Sequence, residues 1–269
     1  MAYELAIIGA GNMAEAIARG LVRGNVFTPD QMIAADVAPE RRELFSKQLS
    51  IKAVESPAQA VSAAPRVLLS VKPQTMKQVL ADMQPVIPAD ALVISIAAGI
   101  SSRFIEQGLA PKPCRVIRTM PNTPMLVGEG MVAIAPGSRA TKQDIEEARR
   151  LFSPAATVID VTEDKLDAVT ALSGSGPAYF FFLVEQMTRA GIEMGLTEQE
   201  ASTLASRTAL GAAKMLTGST DSPQELRRKV TSPKGTTHAA ITHMEEHNLP
   251  AIIVEALKAA QRRSRELGS

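Results

Sequence analysis

A chain of 269 residues has room for two ordinary hydrophobic cores or one large one, since single cores stop growing near ~250 to 300 residues. Hydrophobic residues at 45% and charged residues at 21% give the balance of a soluble globular protein, and 29 Lys plus Arg against 28 Asp plus Glu leave a net charge of +1. Near-neutrality argues against binding nucleic acid or an anionic membrane by bulk charge, and with no Trp and only 3% aromatics there is little material for stacking bases.

From the start of the chain, short β-rich runs alternate with helical stretches, the rhythm of βαβ units and a mainly parallel sheet. Strands are predicted at 4–8, 31–35, 51–54, 66–71, 92–96, 115–119, 131–135 and 157–161. Helices fill the gaps, for example at 12–23, 40–47, 74–82 and 142–151. The strands carry few charges, as a sheet covered on both faces requires. After Val161 the strand-like runs stop and Ala, Leu, Met and Glu take over. Helices are expected there at 163–172, 177–194, 198–217, 223–231, 236–246 and 252–266, with Gly195, Gly218 and Pro250 as stop or turn signals. The apolar run Phe180-Phe181-Phe182-Leu183 exceeds what a small helical domain buries internally, which points to a subunit interface. The single Cys114 has no partner for an intramolecular disulfide or a zinc site, so a reducing cytoplasmic setting and no metal are expected. No apolar run reaches the ~18 residues that span a bilayer, and Glu4 and the glycines at 9 and 11 interrupt any early signal-peptide pattern.

The sharpest local signal is Gly9-Ala10-Gly11-Asn12-Met13-Ala14, directly after the apolar run ending at Ile8 and directly before a helical pattern. In that context Gly9 permits a tight turn, Gly11 lets backbone amides approach a pyrophosphate, and Ala14 allows helix and strand to pack closely. The anion rests on the helix N-terminus, where unpaired N–H groups and the helix dipole meet negative charge. Asp36 ends the second strand, where a carboxylate accepts from a free ribose 2′-hydroxyl and repels a 2′-phosphate, favouring NADH. Arg41 and Arg42 follow it. They read first as solvated charges on the opening turns of a helix, although guanidinium groups also suit a phosphate.

Strand ends at Ser70-Val71-Lys72-Pro73 and Ser95-Ile96-Ala97-Ala98-Gly99 should edge the same cleft, because ligands of open α/β sheets collect outside the carboxyl ends of strands. Met120-Pro121-Asn122-Thr123-Pro124 reads as a rigid loop. In the helical part, Leu172-Ser173-Gly174-Ser175-Gly176-Pro177 is a hydroxyl-bearing turn with Pro placed to open a helix. Thr231-Ser232-Pro233-Lys234-Gly235-Thr236-Thr237 opens another, and its amides and hydroxyls, free of any carboxylate, suit a small carboxylate ligand; simple helix capping is the alternative for both. His243 and His247 share a helical face without a third ligand and read as an exposed pair.

Taken together, Gly9-Ala10-Gly11-Asn12-Met13, Val71-Lys72-Pro73, Ala97-Ala98-Gly99, Met120-Pro121-Asn122-Thr123-Pro124, the 172–179 segment and Ser232-Pro233-Lys234-Gly235-Thr236-Thr237 resemble pyrroline-5-carboxylate reductase over nearly the whole chain. The resemblance implies an α/β fold with an N-terminal Rossmann-like dinucleotide-binding domain over 1–161. It implies an all-helical substrate-binding and dimerisation domain over 162–269, intertwined with a second copy and in the family often built into a ring of five dimers. It also implies hydride transfer from NADPH or NADH to the C=N carbon of 1-pyrroline-5-carboxylate, giving L-proline. By the same resemblance, Ser175, Gly176 and the loop of Ser232, Pro233, Lys234, Gly235, Thr236 and Thr237 bind substrate, with Thr237 approaching the ring nitrogen as the catalytic residue. Ile8, Gly9, Ala10, Gly11, Asn12, Met13, Asp36, Val71, Lys72, Pro73, Ala97, Ala98, Met120, Pro121 and Asn122 form the cofactor side. Two departures stand out: the position of Lys234 is usually Gly, and Asp36 stands where many members carry a small hydroxyl residue. Two rivals are weighed. A 3-hydroxyacid dehydrogenase of the β-hydroxyacid type needs an essential helical Lys, and Lys165 and Lys214 lack its surrounding pattern. A non-catalytic dinucleotide sensor has no use for the two specific loops of the helical part.

Overall fold

The computed structural model describes residues 2–267. Eight strands form one sheet: β1 (Leu5–Ile8), β2 (Met32–Ala35), β3 (Lys52–Val54), β4 (Arg66–Leu69), β5 (Leu92–Ser95), β6 (Arg115–Pro121), β7 (Gly130–Pro136) and β8 (Ala156–Asp160). Their order is β3-β2-β1-β4-β5-β6-β7-β8, and every neighbouring pair is parallel except β6 with β7. The alternation of side chains explains why the strands are apolar throughout. Leu5 and Ile7 pack into one core with Ile17, Leu21, Phe45 and Phe152, whereas Ala6 and Ile8 face a second core with Met76, Leu80, Val93 and Ile105. Each fully buried Leu or Ile contributes about 1.5–3 kcal/mol relative to exposure, so a charge on either face of β1 is not tolerated.

Helices α1 (Asn12–Arg23), α2 (Pro39–Gln48), α3 (Pro57–Val61), α4 (Met76–Met83), α5 (Ser102–Gly108) and α6 (Lys142–Phe152) connect the strands. After β8 come α7 (Leu166–Val169), a π-helical turn at Thr170–Gly174, α8 (Gly176–Glu193), α9 (Glu198–Gly218), α10 (Pro223–Lys229), α11 (Thr236–Glu246) and α12 (Leu249–Leu267). None of these helices is long and apolar enough to cross a membrane among the described residues.

By packing, one unit runs to Ser175 and is joined by the chain from Ala260 onward; the other is Gly176–Ala259. The secondary structure changes after Val161 as expected, but the packing boundary lies later. Leu166 is buried with Met120, Ala133 and Ala135, which ties α7 to the sheet, and Ser264 of α12 donates to Asp167 at 2.7 Å. In the second unit, α8 and α9 approach closely because Gly191 has no Cβ; one placed there would stand 2.8 Å from the Ala201 Cβ. Gly195, at φ +98, ends the first of the pair, and Thr197 with Glu200 forms a capping box that starts the next. Pro250, expected to stop a helix, instead sits in the first turn of α12, where its missing N–H has no intrahelical acceptor to lose.

Candidate active site

The strand order reverses between β1 and β4, which is where open α/β sheets take their ligands. The carboxyl ends of β1, β4, β5 and β6 lie side by side at this point. They bring Ile8, Gly9, Ala10, Gly11, Asn12 and Met13, then Val71, Lys72 and Pro73, then Ala97 and Ala98, to one edge, with Met120, Pro121 and Asn122 at the end of β6. Met120 and Pro121 belong to the strand rather than to a loop, since β6 pairs with β7 through Pro121 opposite Val132. The rigid segment expected at 120–124 is therefore half strand and half 3₁₀ turn, the latter at Thr123–Val127.

The two glycines of the first turn are required for different reasons. Gly9 has φ +91, and a Cβ on it would stand 2.6 Å from the Ser70 carbonyl oxygen, so the chain itself demands glycine there. A Cβ on Gly11 would meet nothing within 4 Å. Gly11 caps α1 without a side-chain hydrogen bond, leaving the first-turn N–H groups open to an anion. The residues present therefore fit a dinucleotide pyrophosphate.

Asp36 lies just beyond β2, and its two carboxylate oxygens accept from the Ala10 N–H at 2.7 Å and the Ala38 N–H at 2.9 Å. Each oxygen keeps lone-pair capacity for a ribose hydroxyl. Arg41 and Arg42 are not the solvated charges expected from sequence. Arg41 donates through Nε to the Ala10 carbonyl at 2.5 Å and through Nη2 to Glu15 at 3.0 Å. Arg42 donates to the carbonyls of Asp36 and Val37, both at 2.8 Å. A period-based reading of α2 has no means of finding the Arg41 contacts, because they cross 31 residues to Ala10 and 26 to Glu15.

Behind the β5 and β6 ends, Ser95 is fully buried; its hydroxyl accepts from the Ala97 N–H at 3.3 Å and its carbonyl from the Thr119 hydroxyl at 3.2 Å. Asn122 donates to the Ser173 carbonyl and accepts from the Met131 N–H, tying β6 to the π-helical turn. That turn, closed by the Ser175 N–H on the Thr170 carbonyl, replaces the loose turn expected before Gly176. Glu163 accepts from the amide and hydroxyl of Ser102 at 2.7 and 2.6 Å and from Arg118 at 2.9 Å. Burial pushes the Glu163 carboxyl upward, but the hydrogen bonds from Ser102 and Arg118 outweigh it and hold the group below the usual carboxylate range.

In the second unit, the Ser232 carbonyl accepts from the Gly235 N–H at 3.0 Å, closing a turn that delivers the chain to α11. Pro233 and Lys234 are its central residues, and Lys234 has φ +62, the left-handed region required at the third position of a type II turn. This explains why glycine suits the position: Lys234 adopts at a cost what glycine adopts freely. Gly235 is confined by the Ser232 hydroxyl, 2.3 Å from where its Cβ would stand. The α11 N-terminus has no side-chain cap, so its amides and the hydroxyls of Thr236 and Thr237 are available to a carboxylate. His243 and His247 stack at 4.1 Å between ring centroids, and His247 Nδ1 pairs with the His243 carbonyl. Ser175 and Gly176 lie at the end of one packing unit and the start of the other.

A curated pyrroline-5-carboxylate reductase from Pseudomonas aeruginosa is 43% identical over 266 residues, covering 98% of this chain and 96% of its own. The chain belongs to the pyrroline-5-carboxylate reductase family. Residues 163–267 match the family described as pyrroline-5-carboxylate reductase dimerisation, and residues 4–99 match that of NADP oxidoreductase, coenzyme F420-dependent. Among solved structures, a pyrroline-5-carboxylate reductase from Coxiella burnetii is 34% identical with a TM-score of 0.90 over the whole of both chains. One from Plasmodium falciparum, with NADP bound, is 25% identical with a TM-score of 0.89 over 99% of this chain and 98% of that one. Membership of the pyrroline-5-carboxylate reductase family makes this chain an NAD(P)H-dependent oxidoreductase with a helical dimerisation domain.

Proposed function

We propose that this chain reduces 1-pyrroline-5-carboxylate to L-proline, the last step of proline synthesis. When bound, NAD(P)H supplies the hydride that reaches the C=N carbon. The amides at Gly11, Asn12 and Met13 hold the pyrophosphate, Asp36 takes the ribose 2′-hydroxyl, and the ends of β4, β5 and β6 wall the nicotinamide. A cyclic imine is basic enough to take its proton from water, so the protein has to position it more than supply a strong acid. The α11 N-terminus holds the substrate carboxylate, Ser175 and Gly176 also bind the substrate, and the Thr237 hydroxyl hydrogen-bonds the ring nitrogen.

The observation that carries this reading is the Ser232 to Gly235 turn, which opens an uncapped 11-residue helix with two hydroxyl residues and no carboxylate at its first turn. In this reading residues 1–161 serve the dinucleotide and 162–269 serve substrate and dimerisation, in a cytoplasmic homodimer that assembles further into a ring of five. The Asp36 carboxylate makes NADH the better cofactor. Loss of the reduced nicotinamide absorbance on adding 1-pyrroline-5-carboxylate tests the assignment. No oxidation with the imine, together with reduction of NAD(P)⁺ by a 3-hydroxyacid, would overturn it in favour of a β-hydroxyacid dehydrogenase; dinucleotide binding without any turnover would favour a sensor.

A further inference from the structure

The first glycine turn is held in place from the β2–α2 side by two side chains of opposite charge. The Ala10 N–H, in the Gly9–Ala10 peptide, donates to Asp36, and the Ala10 carbonyl, in the Ala10–Gly11 peptide, accepts from Arg41. Two consecutive peptide planes are thus pinned. A trans peptide points its C=O and N–H in opposite directions, so fixing the Ala10 carbonyl on Arg41 aims the Gly11 N–H away from it. That N–H takes no partner among the described residues, and a Cβ at Gly11 would meet nothing within 4 Å. Arg41 is itself fixed at its other end by Glu15, in the first turn of the same α1 whose N-terminus the turn opens. Its Nε–H and one Nη2 N–H are thus engaged within the chain, which fixes the plane of the guanidinium against the turn and α1.

We infer that Arg41 is a positioning residue for the dinucleotide: it orients the Gly11 N–H toward the pyrophosphate, and it does not read the 2′-position of the ribose. This rests on the reading that the Gly9 to Met13 turn binds the dinucleotide. Arg41 acts on a part common to both cofactors, so its loss should weaken NADH and NADPH by the same factor, whereas a residue that reads the 2′-phosphate affects NADPH alone.

The experiment measures direct binding of NADH and of NADPH by titration calorimetry, with steady-state kinetics, for wild type, Arg41→Ala and Arg41→Lys. For Arg41→Ala both dissociation constants should rise about tenfold, within a factor of about three of each other. The kinetic loss should appear in KM for the dinucleotide more than in kcat or in KM for the imine. Arg41→Lys keeps the charge but reaches only one of Ala10 and Glu15, so it should recover part of the affinity; full recovery would make the effect one of charge alone and overturn the inference. If Arg41→Ala does not fold, Arg41→Lys alone still decides, by losing affinity for both dinucleotides equally or by losing none. A loss confined to NADPH, or affinities unchanged for both, also overturns the inference. Wild type that binds neither dinucleotide would instead remove the functional reading beneath it.

Discussion

At the scale of single residues, the chemistry divides between groups the fold needs and groups only a ligand needs. Gly9 is demanded by the Ser70 carbonyl, whereas a Cβ at Gly11 would meet nothing within 4 Å, so in the proposed function its glycine serves the approach of the dinucleotide. Asp36 combines both roles in the proposed function: it accepts two backbone amides, and its remaining lone pairs serve the ribose hydroxyl. Replacing it by Ser removes the repulsion of a 2′-phosphate, so the ratio of kcat/KM for NADPH to that for NADH should rise in Asp36→Ser; a wild type that already prefers NADPH strongly would contradict this role. Thr237 is tested more simply. Losing one hydrogen bond to the ring nitrogen costs roughly 0.5 to 3 kcal/mol, depending on the charge that the nitrogen carries in the transition state. Thr237→Ala should therefore lower kcat/KM about threefold to 150-fold while dinucleotide binding stays nearly unchanged, and equal losses in both would place the residue elsewhere. The motif positions were legible in the sequence because glycine, proline and hydroxyl residues mark backbone geometry locally. The partners of Arg41 were not, since its side chain reaches Ala10 and Glu15 across the β1–β2 crossover, and those of Arg42 are the loop carbonyls of Asp36 and Val37, which no helix period marks.

At the scale of elements, strands and helices were legible wherever one period ran unbroken, as in β1, β2 and α1. They were obscured where proline and glycine carried a meaning other than termination. Pro121 lies within β6, paired opposite Val132, Pro250 sits in the first turn of α12, and the serine- and glycine-rich stretch from 172 to 176 continues a helical path through a π turn. What joins several of these elements is Glu163, which ties α5 through Ser102 to β6 through the buried Arg118. In Glu163→Gln the amide group opposes one of these donors and leaves Arg118 short of its charge partner, a loss of about 1–3 kcal/mol. Because the folded-state pKa of Glu163 lies below the unfolded value, its contribution is fully present above the unfolded carboxyl value. It is lost as the pH falls through the folded one. Denaturant melts should show the wild type ahead of Glu163→Gln at neutral pH and the gap closing in acid. A gap independent of pH would mean that shape, not charge, sets the contribution.

At the scale of the whole molecule, the second packing unit is too thin to cover its own apolar residues. Phe180, Phe181, Phe182 and Leu183 on α8 are 61%, 70%, 63% and 50% exposed, and Ile252, Ile253 and Val254 on α12 are each more than half exposed. The exposure follows from the sequence: four consecutive large apolar residues cover the full circumference of a helix, and α9, packed through Gly191 and Ala201, shields only one side. A run of that kind is legible as an interface, but its geometry is not, because in a dimer of the kind the family match describes the partner surface lies on another copy and no intrachain period encodes the pairing. Large apolar patches are rare on monomers, and the exposed residues of α8 and α12 both fall within 163–267, the segment that matches the dimerisation family. Light scattering should therefore give a mass of at least twice the 28.6 kDa chain. A carboxylate in place of Phe181 would have to be buried without a partner in the dimer, which disfavours association far more than it disturbs the exposed face of a lone chain. Phe181→Glu should shift the scattering mass toward a single chain while the first unit still binds dinucleotide. A wild type that is monomeric and fully active would show that these helices need no second copy to cover them.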